Sequence, residues 1–551
     1  MSDARASSAV AGIAPTTARR PHGHHHIHHH SATAVKSTEA VSAVSMLQNS
    51  MQVLQRMDDL HLDEDCDDDF EPARVTALVA ETLGLEEVND AEVSALMRES
   101  LAVAERLAAA SLMTSESAKR RLQARSIELG LPLAPSHGLG HGLGFGADLE
   151  EYVPPRALLL YLVRMGSFSS APRVVNKDCQ DDDVHVDLAA REGVCRWCEQ
   201  QLRATNTPAK LLSRRMVPVE GPPGRPSPHW GAEDSSTIRV MQWNVLSQAL
   251  GVNNDNFVSC PEAALDWAVR RPLMLQELVA AAPDIICLQE VDHYKFLERA
   301  LSPLGYRGLF EPKPDSPCCY IPDNNGPDGC ALLWRSDRFS LLGQHRDRLH
   351  VWRIASNQVV LLAVLRHEAS GRELCVATTH LKARAGALMS KMRNEQGREL
   401  LRIVAAHADG RPVVLSGDFN AEPSEPVYRT VLEHTGMRLA SAYSKASHRE
   451  DDAAPSEDPV TESAQGEPAY TTWKVREEGE QCHTIDYIFY SSSAFSVDAL
   501  LDFPSGEMLG PGRVPSFQYP SDHFSLCADL RLKDTIPEPR PPGRCASERT
   551  K

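Results

Sequence analysis

An aspartate and an asparagine two positions apart, Asp418 and Asn420, follow a short apolar strand in the segment Leu415–Pro423 (LSGDFNAEP). Because side chains i and i+2 of a strand lie on the same face, the two groups are expected to project together beyond the sheet edge. A carboxylate beside a neutral amide suits the activation of a water and the binding of a phosphoryl oxygen. The segment therefore predicts phosphoester chemistry, if the rest of the chain supplies a metal, a histidine and a phosphate clamp.

Two further polar residues end apolar strands nearer the N-terminus. Asn244 ends Val240–Asn244 (VMQWN), and Glu290 ends Ile285–Glu290 (IICLQE). Magnesium prefers oxygen ligands and often uses only one or two carboxylates, so Glu290 is predicted to hold a magnesium ion. Taken alone, Glu290 fits a solvated carboxylate equally well, but the presence of Asn244 and Asp418 at other strand ends favours a metal ligand. These residues include no cysteine and histidine set, which disfavours zinc.

Three hydrogen-bond donors alternate along the segment Thr379–Arg384 (THLKAR), which follows another predicted strand. If the segment is extended, His380, Lys382 and Arg384 share one face. Such a face predicts a phosphate clamp, in which the arginine can bind two oxygens at once. The alternative is a charged loop with a structural histidine.

A carboxylate and a histidine complete the set near the end of this part of the chain. Asp486 is the second residue of one predicted apolar strand, Ile485–Tyr490, and Asp522 and His523 precede another. A histidine held by a carboxylate is oriented and works as a proton-transfer group near neutral pH, so Asp486 is predicted to orient His523. Ser416 with His523 could instead indicate a serine hydrolase, but no nucleophile elbow surrounds Ser416.

All of these residues lie within 238–533, where apolar strands alternate with helical stretches. Many strands with few helices predict an α/β fold of two packed sheets covered by helices, and a segment of this length can bury a core alone. The expected strands are Ile238–Val245, Ile285–Leu288, Gly329–Trp334, Val359–Leu365, Leu374–Thr379, Val413–Ser416, Ile485–Tyr490 and Phe524–Leu532, and the expected helices are Ala263–Ala281, Ser390–His407 and Pro426–Thr435.

The rest of the chain is uneven and carries no predicted chemistry. Residues 1–72 are expected to form a low-complexity, disordered region, 73–130 a helical segment, 131–237 a linker with short helices, and 534–551 a disordered tail. The fold prediction therefore includes a largely disordered or helical N-terminal extension. Within 238–533, the acidic run 445–468 is predicted to be a surface loop insertion, since like charges at that density repel each other.

Composition narrows the classes of partner. The net charge is −18, so no global basic field attracts nucleic acid, and any polyanion must be held by a local cluster. No run of eighteen apolar residues occurs, so no membrane span is expected. We expect a monomer in the cytoplasm. Arg5, Arg19 and Arg20 leave a mitochondrial transit signal as the alternative, against which Asp3 argues.

The cysteines indicate a reducing compartment. The chain has 13 of them and no secretory signal, which suggests free thiols inside a cell. Cys195 and Cys198 form a lone CxxC pair, with Cys179 and His185 upstream. Whether these four bind zinc stays open, because no second CxxC completes a tetrahedral set.

Six motifs together resemble the exonuclease–endonuclease–phosphatase superfamily. They are WNVL (Trp243–Leu246), LQEVD (Leu288–Asp292), THLKAR (Thr379–Arg384), GDFNAEP (Gly417–Pro423), TIDYIFYS (Thr484–Ser491) and YPSDHFSL (Tyr519–Leu526). The resemblance covers about Ile238–Leu532, and the preceding residues show no comparable match. It implies a four-layer α/β sandwich and a magnesium-dependent enzyme. Cys482 departs from the pattern, since an arginine is expected before His483.

The resemblance also implies a role for each position. The catalytic positions are Asn244, His380, Asp418, Asn420, Asp486 and His523. Glu290 would hold magnesium, with Asp522 close to the metal. The positions that match those gripping a dinucleotide's phosphates are Lys313, Lys382, Arg384 and Arg476.

Longer motifs, among them NNGPDGCAL and YTTWKVR, resemble one branch of this superfamily. Its members are phosphatases that remove the 2′-phosphate of NADP(H), are linked to circadian and metabolic control, and were earlier regarded as poly(A) deadenylases. The same function is expected here, with a poly(A)-specific 3′-exonuclease as the alternative and a non-enzymatic scaffold disfavoured by the intact catalytic set. A nuclease needs an extended basic and aromatic track, whereas these basic residues cluster in short motifs.

Overall fold

The computed structural model describes residues 190–219, 236–253, 256–322, 324–444 and 466–533, with seven helical positions between 101 and 112. The predictions for residues 1–72 and 534–551, for most of 73–189 and for most of the acidic run 445–468 lie outside these residues. None of the helices in the described ranges is long and apolar enough to cross a membrane.

Helices and strands alternate along the described chain. The helices are α1 Arg191–Ala204, α2 Gln248–Asn253, α3 Trp267–Ala281, α4 Tyr294–Leu301, α5 Ala387–Ala408, α6 Pro426–Leu432 and α7 Gly506–Leu509, with short 3-10 turns at Glu262–Ala264, Ser302–Leu304 and Pro317–Tyr320. The strands are β1 Met216–Pro218, β2 Thr237–Asn244, β3 Ile285–Val291, β4 Tyr306–Pro312, β5 Gly329–Arg335, β6 Phe339–Val351, β7 Ile354–His367, β8 Glu373–His380, β9 Val413–Asp418, β10 Leu439–Ser441, β11 Thr472–Arg476, β12 Gly479–His483, β13 Asp486–Ser491, β14 Phe495–Leu501 and β15 Leu526–Leu532.

Within the described ranges, the strands form two large mixed sheets and one hairpin. One sheet has the order β1-β14-β15-β2-β3-β5-β4, and the other has the order β10-β13-β9-β8-β7-β6. Each contains one parallel pair at its centre, β2 with β3 and β8 with β9. The hairpin β11–β12 lies apart from both sheets.

Three apolar clusters hold the layers together. The inner faces of the two sheets meet in a cluster that includes Val240, Cys287, Leu361 and Val414. A second cluster joins the first sheet to α1, α3 and α4, and a third joins the other sheet to α5 and α6. The central strands are covered on both faces, which explains why their sequences are almost uninterrupted apolar runs. The predicted α/β sandwich of two packed sheets flanked by helices is confirmed.

The sequence missed strands whose faces are partly exposed. The strand β6 is 13 residues long but alternates between buried and exposed positions and contains charged residues, so no apolar run indicates it. The strand β14 alternates between buried and partly exposed positions, and β4 is buried only at Tyr306, so neither was recognised as a buried apolar strand. Residues 190–219, which the sequence assigns to a linker with short helices, form the helix α1 and also the unexpected strand β1, which pairs with β14 at the edge of the first sheet.

Candidate active site

The two parallel strand pairs end at the same edge of the sandwich and bring the predicted residues together. Asn244, at the end of β2, stands opposite Gln289 of β3, and His380 stands opposite Asp418 at the ends of β8 and β9. Asp486 begins β13 and pairs with Asp418. The strands β8 and β9 approach so closely that a Cβ on Gly417 would lie 2.4 Å from the carbonyl oxygen of Thr379, so this position requires glycine.

Asn244 links the two sheets at this edge. Its Nδ2 donates to Oε1 of Glu290 at 3.0 Å and to Oδ2 of Asp418 at 2.9 Å. Its Oδ1 accepts from the backbone N–H of Leu246 at 3.0 Å, which orients the amide. Because Asn244 is only 1% exposed, the two carboxylates are held in one fixed geometry.

The backbone aims Glu290 into the site. The register between β3 and β5 shifts between Leu288 and Val291, and Glu290 has a φ of 55° within this irregularity. Such a conformation is costly for a residue other than glycine and is common at functional sites. The N–H of Ser247 donates to Oε2 of Glu290 at 3.2 Å, and the residue is half-buried. The carboxylate is therefore fixed, with one side facing the cluster of Asn244 and Asp418.

His523 lies among three buried carboxylates. Its Nδ1 donates to Oδ2 of Asp486 at 2.8 Å, as predicted from the sequence, and its Nε2 lies 3.8 Å from an oxygen of both Asp418 and Asp522. Burial alone would lower the pKa of His523, but the three carboxylates outweigh it and raise the pKa to about 9. Thr471 donates to the same oxygen of Asp486 at 2.7 Å, which fixes the pair.

Asp418 and His380 form the opposite half of the site. Burial and the neighbouring Asp486 raise the pKa of Asp418 to about 7. His380 Nε2 lies 3.5 Å from Oδ2 of Asp418, and burial and Lys313 hold the pKa of His380 well below its usual value. Within the described residues, its buried Nδ1 has no hydrogen-bond partner. Protein charges thus favour a neutral His380 facing a protonated His523.

The four positions that were predicted to grip phosphate carry cations near this centre. Lys313, whose side chain is 10% exposed, pairs with Asp328 at 2.7 Å. Lys382 is 9% exposed, and its burial and the charges of Arg384 and Lys313 lower its pKa to about 8. The guanidinium of Arg476 lies 3.6 Å from Asp522.

The sequence reasoning missed Lys474. Its ammonium contacts Oδ2 of Asp522, and both side chains are buried. Burial would raise the pKa of Asp522, but Lys474, His523 and Arg476 hold it well below its usual value. The signal was present, because Lys474 and Arg476 are two positions apart and share one face of β11. Lys474 was overlooked because β11 belongs to a small hairpin that no apolar run in the sequence indicates.

Two predictions of extended geometry were wrong. The strand β9 ends at Asp418, and Asn420 has a φ of 49°, so strand alternation does not relate the two residues. Asn420 Nδ2 instead donates to the carbonyl of Leu381 at 3.1 Å. Likewise Arg384 has a φ of 89°, so the three donors do not form one extended face: Lys382 is buried, whereas Arg384 is exposed.

The donor set fits a hard divalent cation. Carboxylate oxygens of Asp418 and Asp486 lie within 4.8 Å of each other, and Asn244 joins Glu290 to Asp418. Carboxylate and amide oxygens are ligands that magnesium accepts. The roles predicted for individual residues, including Asp522 close to the metal, stay predictions.

The CxxC pair lies in apolar surroundings that differ from those of the candidate active site. Cys195 and Cys198 are in α1, where Cys198 is buried in the same apolar cluster as Trp197, and burial raises the pKa of the Cys198 thiol. Cys179 and His185 lie outside the described residues, so the zinc hypothesis stays untested.

With this geometry in hand, the comparisons define the class of protein. The model of the endonuclease/exonuclease/phosphatase family matches residues 241–523, and the chain belongs to that family. The matched residues extend from β2 to His523 and so include every predicted catalytic position.

Within the family, the chain is a member of the nocturnin group. It is 46% identical over 477 residues to nocturnin of Drosophila melanogaster, an alignment that covers 78% of this chain and 72% of the fly protein. It is 47% identical over 300 residues to human nocturnin, covering 54% of this chain and 66% of that protein. The solved human nocturnin catalytic domain with bound sulfate anion is 41% identical, covers 54% of this chain and 95% of that chain, and has a TM-score of 0.44.

The match to the fly protein corrects one expectation. A share of 78% is more than residues 238–551 can supply, so the similarity continues into the N-terminal part, where the sequence indicated no match.

Proposed function

We propose that this protein is a magnesium-dependent phosphatase that removes the 2′-phosphate of NADP⁺ and NADPH, giving NAD⁺ and NADH. The observation that carries the proposal is a set of cations near the two histidines, which comprises Lys313, Lys382, Arg384, Lys474 and Arg476. Lys313 and Lys474 both depress the pKa of His380, and Lys313 and Arg384 both depress that of Lys382. We infer from this coupling that these charges act together on one small polyanion.

The negative charge of the substrate matches this set of cations. A phosphate monoester carries about 1.5 to 2 negative charges at neutral pH, and the pyrophosphate of the dinucleotide adds more. Buried cations are strong partners for such groups because little water screens them. Arg384 and Arg476 at the rim would bind oxygens in pairs.

The buried residues suggest a division of labour during hydrolysis. Asp418, with its raised pKa, would accept a proton from the attacking water, and Asn420 would help bind the phosphate. His523, protonated and held by Asp486, would donate to a phosphoryl oxygen, and His380 and Lys382 would hold others. Glu290 with Asn244, and Asp522 nearby, would hold magnesium, which when bound would neutralise charge on the phosphoryl oxygens.

A poly(A)-specific 3′-exonuclease is the second candidate, since the same residues could hydrolyse a diester. One feature favours it: the ring of Phe257 lies 5.4 Å from the Arg476 guanidinium, and aromatic and arginine side chains together can stack a nucleotide base. As further proposals, the protein acts as a monomer in the cytoplasm, with mitochondria as the alternative, and takes part in circadian and metabolic regulation.

One parallel assay separates the two candidates. The purified full chain with magnesium is given NADPH and oligo(A), and phosphate release and RNA length are followed together. We expect rapid phosphate release from NADPH, little shortening of the RNA, and loss of both in Asp418→Asn. Rapid shortening of oligo(A) without phosphate release from NADPH would reverse the ranking.

A further inference from the structure

The loop that joins β8 to α5 has an unusual backbone. It carries Lys382 and Arg384, and Arg384 has a φ of 89° while Gly386 has a φ of 118°. A residue other than glycine is strained at positive φ, and such strain persists only where the surroundings hold the backbone firmly. What holds this loop therefore bears on how its two cations are presented.

The loop is held from within by Arg393 of α5. Arg393 Nη1 donates to the carbonyl oxygens of Lys382 at 3.1 Å and Arg384 at 2.7 Å. Its other nitrogens bind the Glu425 carboxylate, with Nη2 2.8 Å from Oε2. The Arg393 side chain is 2% exposed, so this contact is a rigid internal support.

The second support comes from the N-terminal part of the chain. Glu105, one of the helical positions between 101 and 112, accepts from the N–H of Leu388 through Oε2 at 3.0 Å. This N–H lies in the first turn of α5, whose N-cap Gly386 provides no side-chain cap. A carboxylate there satisfies an otherwise unpaired N–H and interacts favourably with the helix dipole.

Gly386 is shaped for this contact as well as for the turn. A Cβ on Gly386 would lie 2.9 Å from Oε1 of Glu105, so a larger residue would push the carboxylate away. Ala104 and Ala108, on the same helical segment, are 1% and 0% exposed. The residues beside Glu105 are therefore packed against protein, and Glu105 does not reach the loop from a solvated surface.

We propose that Glu105 is a positioning residue of the phosphate clamp: it caps α5 from outside the catalytic domain and holds the loop that presents Lys382 and Arg384. Arg393 donates to two carbonyl groups within the loop, and Glu105 accepts from the N–H of Leu388 in the first turn of α5, where the loop ends. The substrate clamp is thus completed by a segment more than two hundred residues earlier in the sequence. The part of this inference that concerns substrate rests on the proposed function.

The test compares Glu105→Ala and Glu105→Gln with the unmodified full chain. Loss of a capping side chain corresponds to about a fivefold change in a local equilibrium. For Glu105→Ala we expect KM for NADPH to rise about fivefold while kcat stays within about twofold. Glu105→Gln keeps an acceptor oxygen but loses the charge, so its KM for NADPH should lie between those of Glu105→Ala and the unmodified chain. Glu192→Gln is the matched control, since Glu192 is an exposed acid in the first turn of α1.

Hydrogen exchange in the same samples makes the result independent of the substrate. Amides of residues 382–390 should exchange about fivefold faster in Glu105→Ala, while those of β9 stay unchanged, which excludes global unfolding. Unchanged exchange in 382–390 would overturn the proposal whatever the activity. An unchanged KM for NADPH would overturn it as well. A lower KM would also do so, because it would mean that Glu105 competes with the substrate. If the unmodified chain releases no phosphate from NADPH, the proposed function fails, and exchange alone decides the role of Glu105.

Discussion

The lowered pKa of Lys382 predicts how activity changes in alkaline solution. Burial and the charges of Arg384 and Lys313 bring this pKa to about 8. The ammonium is charged below its pKa, so about nine-tenths of it carries the charge at pH 7 and about one-tenth at pH 9. If this charge binds the substrate phosphate, the ionisation of Lys382 should lower kcat/KM for NADPH about tenfold between pH 7 and pH 9.

Replacement of the side chain separates this effect from that of His523. The pKa of His523 is raised to about 9, so its proton is lost later than that of Lys382. Lys382→Arg keeps its charge at every pH used, and the alkaline fall of kcat/KM should therefore move from about pH 8 to about pH 9. Lys382→Met should have low activity throughout, with its fall also near pH 9.

The assay is phosphate release from NADPH between pH 6.5 and pH 10, because kcat/KM reports the ionisation of the free enzyme. Lys295→Arg is the control, since Lys295 is an exposed lysine of α4. The reasoning is refuted if the unmodified enzyme shows no fall before pH 9, or if both Lys382 variants retain a fall near pH 8.

Three further predictions concern other parts of the molecule. Glu290→Ala should abolish phosphate release and magnesium binding measured by calorimetry, whereas Glu298→Ala, at an exposed position of α4, should change neither; wild-type turnover would exclude Glu290 as the ligand. Phe257→Ala should raise KM for NADPH about two- to fivefold, because the ring supports the Arg476 guanidinium and such contacts contribute about 0.5–1 kcal/mol; an equal effect of Val258→Ala would argue against this. Burial raises the pKa of Glu467 to about 7, so the unmodified protein loses stability as pH rises from about 4.5 to 7. In chemical denaturation, Glu467→Gln should be more stable by up to about 3 kcal/mol at pH 8 and equal at pH 4; equal stability at both values would contradict the assignment.

The sequence could predict the heart of the site because its residues end apolar runs. Asn244 and Asp418 end their strands and Glu290 lies one residue before the end of β3, all in strands that the sandwich covers on both faces, so the run and its polar end are visible together. Parallel pairing then brings those ends to one edge, which required no knowledge of side-chain contacts.

The rest depended on backbone geometry and on distant contacts. A left-handed φ at Asn420 and Arg384 breaks the alternation that the sequence argument assumed. Lys474 comes from a hairpin outside both sheets, and Glu105 comes from a part of the chain with no visible motif. Partly exposed strands such as β6 carry polar residues on one face, so their pattern resembles that of loops.

The short strand β1 has a consequence for shortened forms of the protein. It covers the outer side of β14, pairing Met216–Pro218 with Ala499–Leu501, and the N–H of Arg215 is bound by Asp502 at 2.7 Å. A chain that begins at residue 236 would keep all the other strands of both sheets, but it would leave the backbone groups on the outer edge of β14 unpaired. An exposed strand edge is a template for pairing with another molecule. Such a fragment is expected to self-associate through β14, so the segment before the sandwich protects the protein against aggregation.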